Sequence, residues 1–323
     1  AYGGPMFRAR FDLLTTADDD AKRFLRRLPG FRWWRRFLQP LTAFVGTTVT
    51  EYALLASGSD PDRLAAQWKA EYGGQHPFLI VKDLPQSSPL LSREENEHAA
   101  ALARACEKEG YVLVEGQALA YVPIDFDSQD AYLGRLSHSR RKDIRRKLKR
   151  RAELEIEQAR TGDPRFRDPE VLKEFYALYM NVYAQSEIHF DRLTEAFFER
   201  VLQDGDSGGI VFIYRRRGEM IGYNLCFECE GNLVDKYIGL RYPEARECNL
   251  YFVSWMVNLE YARERGLRYY IAGWTDPQVK SYLGASFTFT RHAVYIRNPL
   301  LRAVLRRLAG RFEGDRAWSE ERS

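Results

Sequence analysis

A dense run of basic side chains between positions 135 and 151 has the composition of an anion-binding surface. The segment, RLSHSRRKDIRRKLKRR, holds ten lysines and arginines against a single acid, Asp143. Its apolar residues fall on one stripe of a helix. Such a helix packs through that stripe and presents its cations to a polyphosphate or an RNA backbone. The sequence therefore predicts an anion-binding helix, with Arg141, Arg145 and Lys149 as candidate ligands.

The same basic run has a less specific explanation. Charged faces are often only solvated, or they pair with acids of the same chain. Glu153, Glu155 and Glu157 follow directly and offer such partners. Across the whole chain, 49 lysines and arginines stand against 45 acids, a net charge of only +4. Positive charge is therefore a local feature of this segment rather than a general property of the protein.

Lys280 and Tyr282 form a second pair of residues that could do chemistry together. In an extended stretch, residues two positions apart point to the same side and could reach one pocket. In a helical turn they splay apart, and only one of them could serve. An ammonium group can stabilise an oxyanion or bind a phosphate, and a phenol can donate a proton. An exposed loop with both side chains in water is the alternative.

Several common catalytic motifs are absent from the sequence. It contains no Walker A loop, no G-x-G-x-x-G, no H-E-x-x-H and no G-x-S-x-G. Cys226 and Cys229 have Cys-x-x-Cys spacing, but in a predicted strand they point to opposite faces, so we expect structural cysteines and no metal. His189 and His292 are candidate bases, although isolated histidines more often have structural roles.

Composition predicts a folded protein of one large domain or two. The 323 residues are 45% hydrophobic and 14% aromatic, which excludes a wholly disordered chain. No apolar run is long enough for a transmembrane helix. Four cysteines are too few for a disulfide scaffold, so we expect a reducing, cytoplasmic location. The first residues carry Arg8 and Arg10 and do not have the apolar core of a signal peptide.

Helices and strands alternate along the chain, with a break near position 127. Before the break we predict strands at 41–55 (a pair), 78–84, 111–115 and 118–122, the last two paired around Gly116, and helices at 61–72 and 92–109. After it we predict the basic helix, a strand at 154–159, helices at 169–186 and 194–202, and a three-stranded meander at 209–240. The rest of the chain is predicted to form a helix at 250–265, a strand at 268–273, a turn or short helix at 278–283, a strand at 286–296 and a helix from 299 to about 312.

Several segments resemble one enzyme family. The strand VDKYIGL at 234–240, with Asn249 opening a helix, looks like the central strand–helix unit of GNAT acyltransferases. The helix end EYARERGL at 260–267, the strand YYIAGW at 269–274 and a downstream Lys280 resemble the FemAB-like branch. The basic run also resembles the start of the second lobe in that branch. The resemblance extends over residues 131–298.

The resemblance implies an α/β fold, a GNAT-like mixed sheet flanked by helices in two tandem lobes. We expect a degenerate lobe at 1–127, a catalytic lobe at 128–298, and a basic helix and tail at 299–323. The implied activity is N-acyl transfer from aminoacyl-tRNA or acyl-CoA to an amine, with no tightly bound cofactor. A cell-wall precursor, a lipid or a small molecule would supply the amine.

The resemblance also implies a set of site residues. Asp235 would orient or deprotonate the amine, Lys236 or Lys280 would stabilise the oxyanion or bind a phosphate, and Tyr282 would protonate the leaving group. Because strand residues alternate, we expect at most one of Asp235 and Lys236 to face a given cleft.

The loop after the central strand would hold the donor in an enzyme of this family. Arg241, Arg246 and Asn249 are its candidate phosphate ligands, with a solvated loop as the alternative for the two arginines. The loop lacks the glycines of the usual CoA cradle, so CoA binding there is in question. Aminoacyl-tRNA, the donor in many FemAB-like enzymes, does not need that cradle.

Two segments are both apolar and basic, at 31–38 and 299–312. Such segments either pack onto their own domain or lie on an anionic membrane surface. A non-catalytic protein that binds RNA or a membrane surface and keeps the acyltransferase fold is therefore the alternative to an enzyme. An open tunnel between the diverging central strands would distinguish the two.

Overall fold

The computed structural model describes residues 5–10, 27, 38–53, 59–186 and 192–309. Over these residues the chain is a mixed α/β protein that forms two compact units. Unit 1 comprises Ala1–Leu119 and Thr288–Ser323, and unit 2 comprises Ala120–Phe287. The domain boundaries expected at 127 and 298 stay predictions, because a division by compactness does not test independent folding.

Unit 1 is built on a mixed sheet. In spatial order, its described strands are β1 (Met6–Arg10), β2 (Leu41–Val45), β3 (Phe78–Pro85), β10 (Ser286–Ile296) and the first part of β4 (Val112–Pro123). Its described helices are α1 (Pro61–Trp68), followed by a π-helical turn at Lys69–Gly73, α2 (Arg93–Lys108) and α10 (Pro299–Leu308). Trp68, Leu79 and Leu102 are fully buried in its core.

The predicted helix starts in unit 1 are confirmed. Asp60 caps α1 by accepting a hydrogen bond from the Asp62 amide, and Pro61 occupies the first helical position. Ser92 and Glu95 form a capping box at the start of α2, each side chain accepting from the other residue's backbone amide. Local sequence therefore determines where both helices begin.

Two expectations for unit 1 are wrong. The strand pair predicted around Gly116 is a single strand, β4. A Cβ atom at position 116 would lie 2.3 Å from Oγ1 of Thr290, so this glycine permits close approach of β10 rather than a turn. The second strand predicted within 41–55 is absent from residues 46–53, which form turns and bends, and residues 54–58 lie outside the described residues.

Unit 2 is also built on strands of mixed direction, which are hydrogen-bonded in the order β4-β9-β8-β7-β6-β5. Its strands are the end of β4, β5 (Glu155–Arg160), β6 (Gly209–Arg216), β7 (Glu219–Cys229), β8 (Asn232–Leu240) and β9 (Tyr269–Gly273). Its described helices are α3 (Gln129–Gly134), α4 (His138–Leu148), α5 (Pro169–Gln185), α6 (Glu195–Gln203), α7 (Glu244–Glu247), α8 (Leu250–Glu264) and α9 (Pro277–Leu283). Short 3₁₀ helices lie at Lys149–Glu153 and Pro164–Arg167.

The basic run is not one continuous helix. α3 ends at Gly134, and α4 begins at His138 after Ser137 at its N-cap position. After Leu148 the chain tightens into a 3₁₀ helix. Leu136 and Ile144 are nevertheless buried, so the apolar stripe faces the core as predicted.

Strands β8 and β9 are parallel neighbours that pair over only three residues in the described structure. The paired residues are Asn232 with Tyr269, Leu233 with Tyr270, and Val234 with Ile271. Asp235 is the first β8 residue beyond this pairing. Helix α8 follows and is buried along most of its length, which makes it the central helix of unit 2. The two strands therefore diverge beside a rigid, buried helix.

Helix α10 ends the described part of the chain. It begins at Pro299, as predicted, with Asn298 accepting from the first helical amides. The remainder of its predicted span and the basic apolar segment at 31–37 lie outside the described residues. None of the helices that the structure describes is both long and apolar enough to span a bilayer.

Candidate functional site

Asp235 lies at the point where β8 leaves β9, and a buried polar cluster holds its carboxylate. Oδ2 accepts hydrogen bonds from the Tyr270 hydroxyl at 2.8 Å and the Asn258 amide at 3.1 Å. The Asn224 amide donates to Oδ1 at 3.2 Å. All three donors are buried, and the side-chain oxygens of both asparagines have no hydrogen-bond partner among the described residues. Both amides are therefore oriented toward Asp235.

Two opposing effects act on the acidity of Asp235. Burial raises the pKa of its carboxyl group, whereas hydrogen bonds from Tyr270 and Asn224 and the positive charge of Lys280 lower it. The cluster thus stabilises a carboxylate in surroundings that disfavour charge. A carboxyl group under such opposed effects is suited to exchanging a proton.

Lys280 brings a cation to the same place. Its side chain is 4% exposed, and it is the only buried lysine among the described residues. Its Nζ lies 3.9 Å from the position that a Cβ atom on Gly273, the last residue of β9, would occupy. Burial lowers the pKa of Lys280 to about 8, and the charges of Asp235 and Asp276 oppose that fall.

Lys280 has no ion pair within 4.0 Å among the residues that the structure describes. Its two influential acids act over a longer distance than a salt bridge. Its ammonium hydrogens are therefore available to a ligand entering beside Asp235.

Tyr282 lies in different surroundings because α9 is a helix rather than an extended segment. Its hydroxyl donates to Oδ2 of Asp143 at 2.8 Å, so it contacts α4. Burial and the neighbouring Asp143 raise the pKa of Tyr282. Of the two sequence-based alternatives, the structure has the helical one, in which the side chains splay apart.

Lys236 is half-buried at an irregularity in the sheet. In the β7–β8 pairing, Leu225 opposes Tyr237 and Cys226 opposes Asp235, which leaves Lys236 as the extra residue of a bulge. Strict alternation does not hold at a bulge. The expectation that Asp235 and Lys236 face opposite sides therefore lacks its physical basis at this position.

A basic pocket lies at the start of α8. Its cavity of about 320 Å³ is lined by Arg146, Lys147, Arg150 and Asn249. Asn249 has a left-handed backbone conformation, with φ of 49°, immediately before the first residue of α8. Helix N-termini carry partial positive charge, which adds to that of the three cations. The pocket is suited to a phosphate group.

Most of the predicted phosphate ligands are engaged elsewhere. Arg241 pairs with Glu174 at 2.9 Å, and Arg246 donates to Gln185 and stacks on Tyr242. Arg145 pairs with Asp130 at 2.7 Å, and Arg141 donates to the Gly134 carbonyl at 3.3 Å. Lys149 begins the 3₁₀ turn. Asn249 is thus the one predicted ligand that lines the pocket.

The three cations that line the pocket belong to the predicted basic run but are not among the ligands predicted from it. The spacing of 146, 147 and 150 places them on one face of a helix, which is a usable signal in the sequence. The acids of the chain neutralise part of their charge, because Arg146 and Lys147 pair with Asp143 and Arg150 pairs with Glu153. The explanation by internal pairing is therefore correct for several cations of the run.

Of the remaining candidates, Cys226 hydrogen-bonds to the Asp235 carboxyl group, whereas His292 lies on a different strand. His292, on β10, accepts a hydrogen bond from the Asp83 amide through Nδ1. His189 lies outside the described residues. Cys226 is buried in β7, and Cys229, at the end of that strand, is exposed.

Comparisons with known proteins agree with this architecture. The chain superposes on the C-terminal domain of a putative lysylphosphatidylglycerol synthetase from Agrobacterium fabrum with a TM-score of 0.53, at 14% identity over 82% of each chain. L-PGS from Bacillus licheniformis gives 0.51 at 13% identity, over 84% of this chain and 82% of the other. FemX gives 0.50 at 13% identity, over 82% and 83%. No curated protein sequence matches the chain.

The fold is that of GNAT-type acyltransferases, a mixed sheet flanked by helices in tandem lobes, as predicted. A family model described as peptidoglycan biosynthesis/recognition matches residues 80–313. The chain belongs to this family, the FemAB-like family.

Proposed function

We propose that the protein transfers an acyl or aminoacyl group to an amine where β8 and β9 diverge. Lys280 carries this proposal, because it is a buried ammonium beside Asp235 with no ion pair among the described residues. Burying a charge without a hydrogen-bonded ion pair costs folding free energy. Such groups cluster at functional sites, where their perturbed pKa values serve proton transfer.

The proposed chemistry uses both charges. The amine nitrogen attacks the carbonyl carbon of an ester or thioester, and Lys280 donates a hydrogen bond to the oxyanion that forms. Oδ1 of Asp235, which accepts a hydrogen bond from Asn224, takes the proton that the amine releases. The bond to the leaving oxygen or sulfur then breaks, and Lys280 supplies the proton to that atom. A pKa of about 8 keeps Lys280 protonated at neutral pH yet able to act as an acid.

Lys236 and Tyr282 have supporting roles in this proposal. Lys236, at the bulge, is a candidate second donor to the oxyanion. Tyr282 was expected to protonate the leaving group, but its hydroxyl donates to Asp143. We therefore propose a positioning role for Tyr282.

We propose that the donor is an aminoacyl-tRNA, with acyl-CoA as the alternative. Both carry phosphates that suit the pocket of Arg146, Lys147, Arg150 and Asn249. The loop before α8 lacks the glycines of a CoA cradle, which favours the RNA ester. Phosphate recognition by side-chain cations is also the usual mode of non-specific RNA binding.

The proposed acceptor is an amine on a cell-wall precursor or a lipid, with a small molecule as the alternative. The description of the family, peptidoglycan biosynthesis/recognition, supports a cell-wall acceptor. Structural similarity to a putative lysylphosphatidylglycerol synthetase supports a lipid as a class of acceptor, since phosphatidylglycerol itself carries hydroxyl groups rather than an amine. Both kinds of acceptor occur at the inner face of a membrane, where we expect this protein to work from the cytoplasm.

Helix α10 supports a membrane location. Leu300, Leu301 and Val304 are 77%, 53% and 52% exposed, and α10 carries three arginines and no acid. Leu305 packs against the core of unit 1, so the exposed apolar residues lie on the outer side of an anchored helix. We propose that this face contacts an anionic membrane surface.

The transfer reaction is tested with total tRNA charged with radiolabelled amino acids, and in parallel with labelled acetyl-CoA. Cell-wall peptide precursors and aminated lipids serve as acceptors. We expect label transfer by the wild type and a loss on the order of 10²–10³-fold in Lys280→Met, as for removal of an oxyanion donor. Lys173→Met, an exposed lysine on α5, is the control.

Native mass spectrometry after incubation with cell extract identifies the retained donor. Retention of tRNA or CoA with no transfer by the wild type to any acceptor would favour the non-catalytic alternative. Transfer that survives Lys280→Met unchanged would exclude the proposed site but not the proposed activity.

A further inference from the structure

Asp143, the single acid of the basic run, joins two helices. Its Oδ1 accepts from Arg146 at 2.5 Å, and its Oδ2 accepts from Lys147 and from the Tyr282 hydroxyl, each at 2.8 Å. Hydrogen bonds from Lys147, Tyr282 and Arg146 lower the pKa of Asp143 to about 2, so it is ionised at neutral pH. Two of these partners line the phosphate pocket, and the third belongs to α9.

Arg140 makes the second connection between α4 and α9. Its guanidinium donates to the Tyr282 carbonyl at 2.9 Å and also to the Ser281 carbonyl, and it lies 5.4 Å from the centre of the Tyr282 ring. These carbonyls belong to the last turn of α9, where a cation is favourable. Lys280 directly precedes Ser281 in that turn. Helix α4 therefore holds the segment from which Lys280 projects.

We propose that Asp143 and Tyr282 are positioning residues that couple occupancy of the phosphate pocket to the placement of Lys280. The inference rests on the proposed function, because it assumes that the pocket receives the donor's phosphate. A phosphate that binds Arg146 and Lys147 competes with Asp143 for their hydrogen bonds. The Asp143 carboxylate then shifts its hydrogen bonding toward the Tyr282 hydroxyl, and this changes the position of α9 and of Lys280.

Such a link would make Lys280 competent only when the donor is in place. Coupling between two sites is reciprocal, so a ligand in the pocket must change the properties of Lys280. The hydroxyl of Tyr282 is the point of the link to test, because it is the group of α9 that donates a hydrogen bond to Asp143.

The test uses inorganic pyrophosphate as the probe and Tyr282→Phe as the variant. Phenylalanine keeps the ring that faces Arg140 and Lys147 and leaves Asp143 and the pocket cations intact. Calorimetry measures the Kd of pyrophosphate. Labelling with acetic anhydride, read at residue resolution by peptide mass spectrometry, measures the reactivity of Lys280 with and without the probe.

In the wild type we expect saturating pyrophosphate to change the labelling rate of Lys280 by about fivefold or more, the lower end of typical site–site coupling. In Tyr282→Phe we expect less than about a twofold change, with a Kd within about threefold of the wild type. Tyr282→Phe should therefore still bind pyrophosphate but lose the effect of pyrophosphate on Lys280.

Two further variants make the result specific. Tyr261→Phe removes a hydroxyl that contacts another carboxylate, Glu228, outside the site, and should keep the response. Asp143→Asn removes an acid beside the pocket, so pyrophosphate should bind at least as tightly while the Lys280 response disappears. A purely structural role for Asp143 would not predict this combination of tighter binding and lost response.

The outcomes that overturn the proposal are distinct. A full response in Tyr282→Phe would mean that the phosphate acts on Lys280 through space. Loss of pyrophosphate binding in both variants would place Asp143 and Tyr282 in the pocket itself. If the wild type binds no pyrophosphate, both the coupling and the proposed donor pocket are rejected. If it binds pyrophosphate but the labelling rate of Lys280 does not change, only the coupling is rejected.

Discussion

The position of Lys280 carries a folding cost. A lysine whose pKa is about 8 in the folded protein has lost hydration that Asp235 and Asp276 do not fully replace. Asparagines at 224 and 258 and the phenol of Tyr270 hold the opposing carboxylate rather than the ammonium. The residues around this pair therefore favour reactivity over stability, which is common at catalytic sites.

Replacing Lys280 with methionine should therefore stabilise the protein at neutral pH. The folded-state pKa lies below the unfolded value, so between about pH 8 and 10.5 the unfolded chain binds more protons and wild-type stability rises with pH. We expect Lys280→Met to raise the free energy of unfolding by on the order of 1–3 kcal/mol at neutral pH, with the gain shrinking toward pH 10.5.

Denaturant unfolding at neutral pH and near pH 10 measures this difference, with Lys173→Met as the matched control. A variant that is less stable than the wild type at neutral pH would contradict the account. It would mean that Lys280 makes a stabilising ion pair rather than bearing an uncompensated charge.

The sequence singles out Asp235 and Lys280, which the structure places near each other, but not the cluster that surrounds them. Asn224 and Asn258 come from β7 and α8, and no local spacing relates them to Asp235. A signal does exist, because each asparagine interrupts an apolar run and a buried polar group needs a partner. Which partner it finds depends on how the strand and the helix pack.

At the scale of elements, helix α4 shows what a charge pattern can and cannot determine. The cationic character and the buried stripe of the run follow directly from its sequence. The face that meets the start of α8 does not, because it depends on how α4 packs against α8. The charge pattern alone therefore does not separate Arg141, Arg145 and Lys149 from the residues that line the pocket.

Two matched triple substitutions to glutamine test which face binds anions. The pocket triple is Arg146, Lys147 and Arg150, and the outer triple is the originally predicted Arg141, Arg145 and Lys149. We expect the pocket triple to weaken tRNA binding more and to reduce the slope of log K against log salt by about two to three, roughly one per lost phosphate contact.

Filter binding of tRNA over a range of salt concentrations gives both quantities. Because the two triples remove equal charge from neighbouring positions, a general electrostatic effect would change them alike. A larger effect from the outer triple would support the original sequence-based choice and reject the pocket.

The strands and helices of unit 2 follow closely from local signals. Gly218 and Gly231 lie in the turns between the meander strands, and Gly266 follows α8; all three have positive φ values that favour glycine. Gly116, on β4 of unit 1, is different. A glycine is required there because the side chain of Thr290, far away in the sequence, leaves no room for a Cβ atom. A glycine required by a distant neighbour cannot be distinguished from a turn glycine by local pattern.

At the scale of the whole molecule, helix α10 carries the proposed membrane contact. Three of the six exposed large hydrophobic side chains among the described residues lie on this helix. Arg302 packs on Tyr295 and donates to the Ile296 carbonyl, so the helix is anchored to unit 1. The protein should therefore present a fixed apolar and basic face rather than a loose tail.

We expect the wild type to float with vesicles of phosphatidylglycerol and phosphatidylcholine but not with phosphatidylcholine alone. The double substitution Leu300→Asp and Leu301→Asp should abolish flotation without unfolding the protein, because both side chains are exposed. Leu41→Asp, which alters an exposed leucine on β2, is the control and should still float.

Self-association is checked on the same samples by analytical ultracentrifugation. Flotation that persists in the double variant would contradict the membrane assignment of α10. A wild-type dimer that dissociates in the double variant would instead assign this face to a second copy of the chain.

The most direct test of the central claim is the pH dependence of single-turnover transfer in the wild type and in Lys280→Arg. If the Lys280 ammonium is the donor in the reaction, the wild-type rate should fall above its pKa of about 8. The arginine variant keeps its charge at high pH, so its slower reaction should show no such fall. Acceptor titration and ester hydrolysis affect both proteins alike and cancel in the ratio of their rates. A ratio that stays constant through about pH 9.5 would contradict the account, because the titration of Lys280 would then have no part in the chemistry.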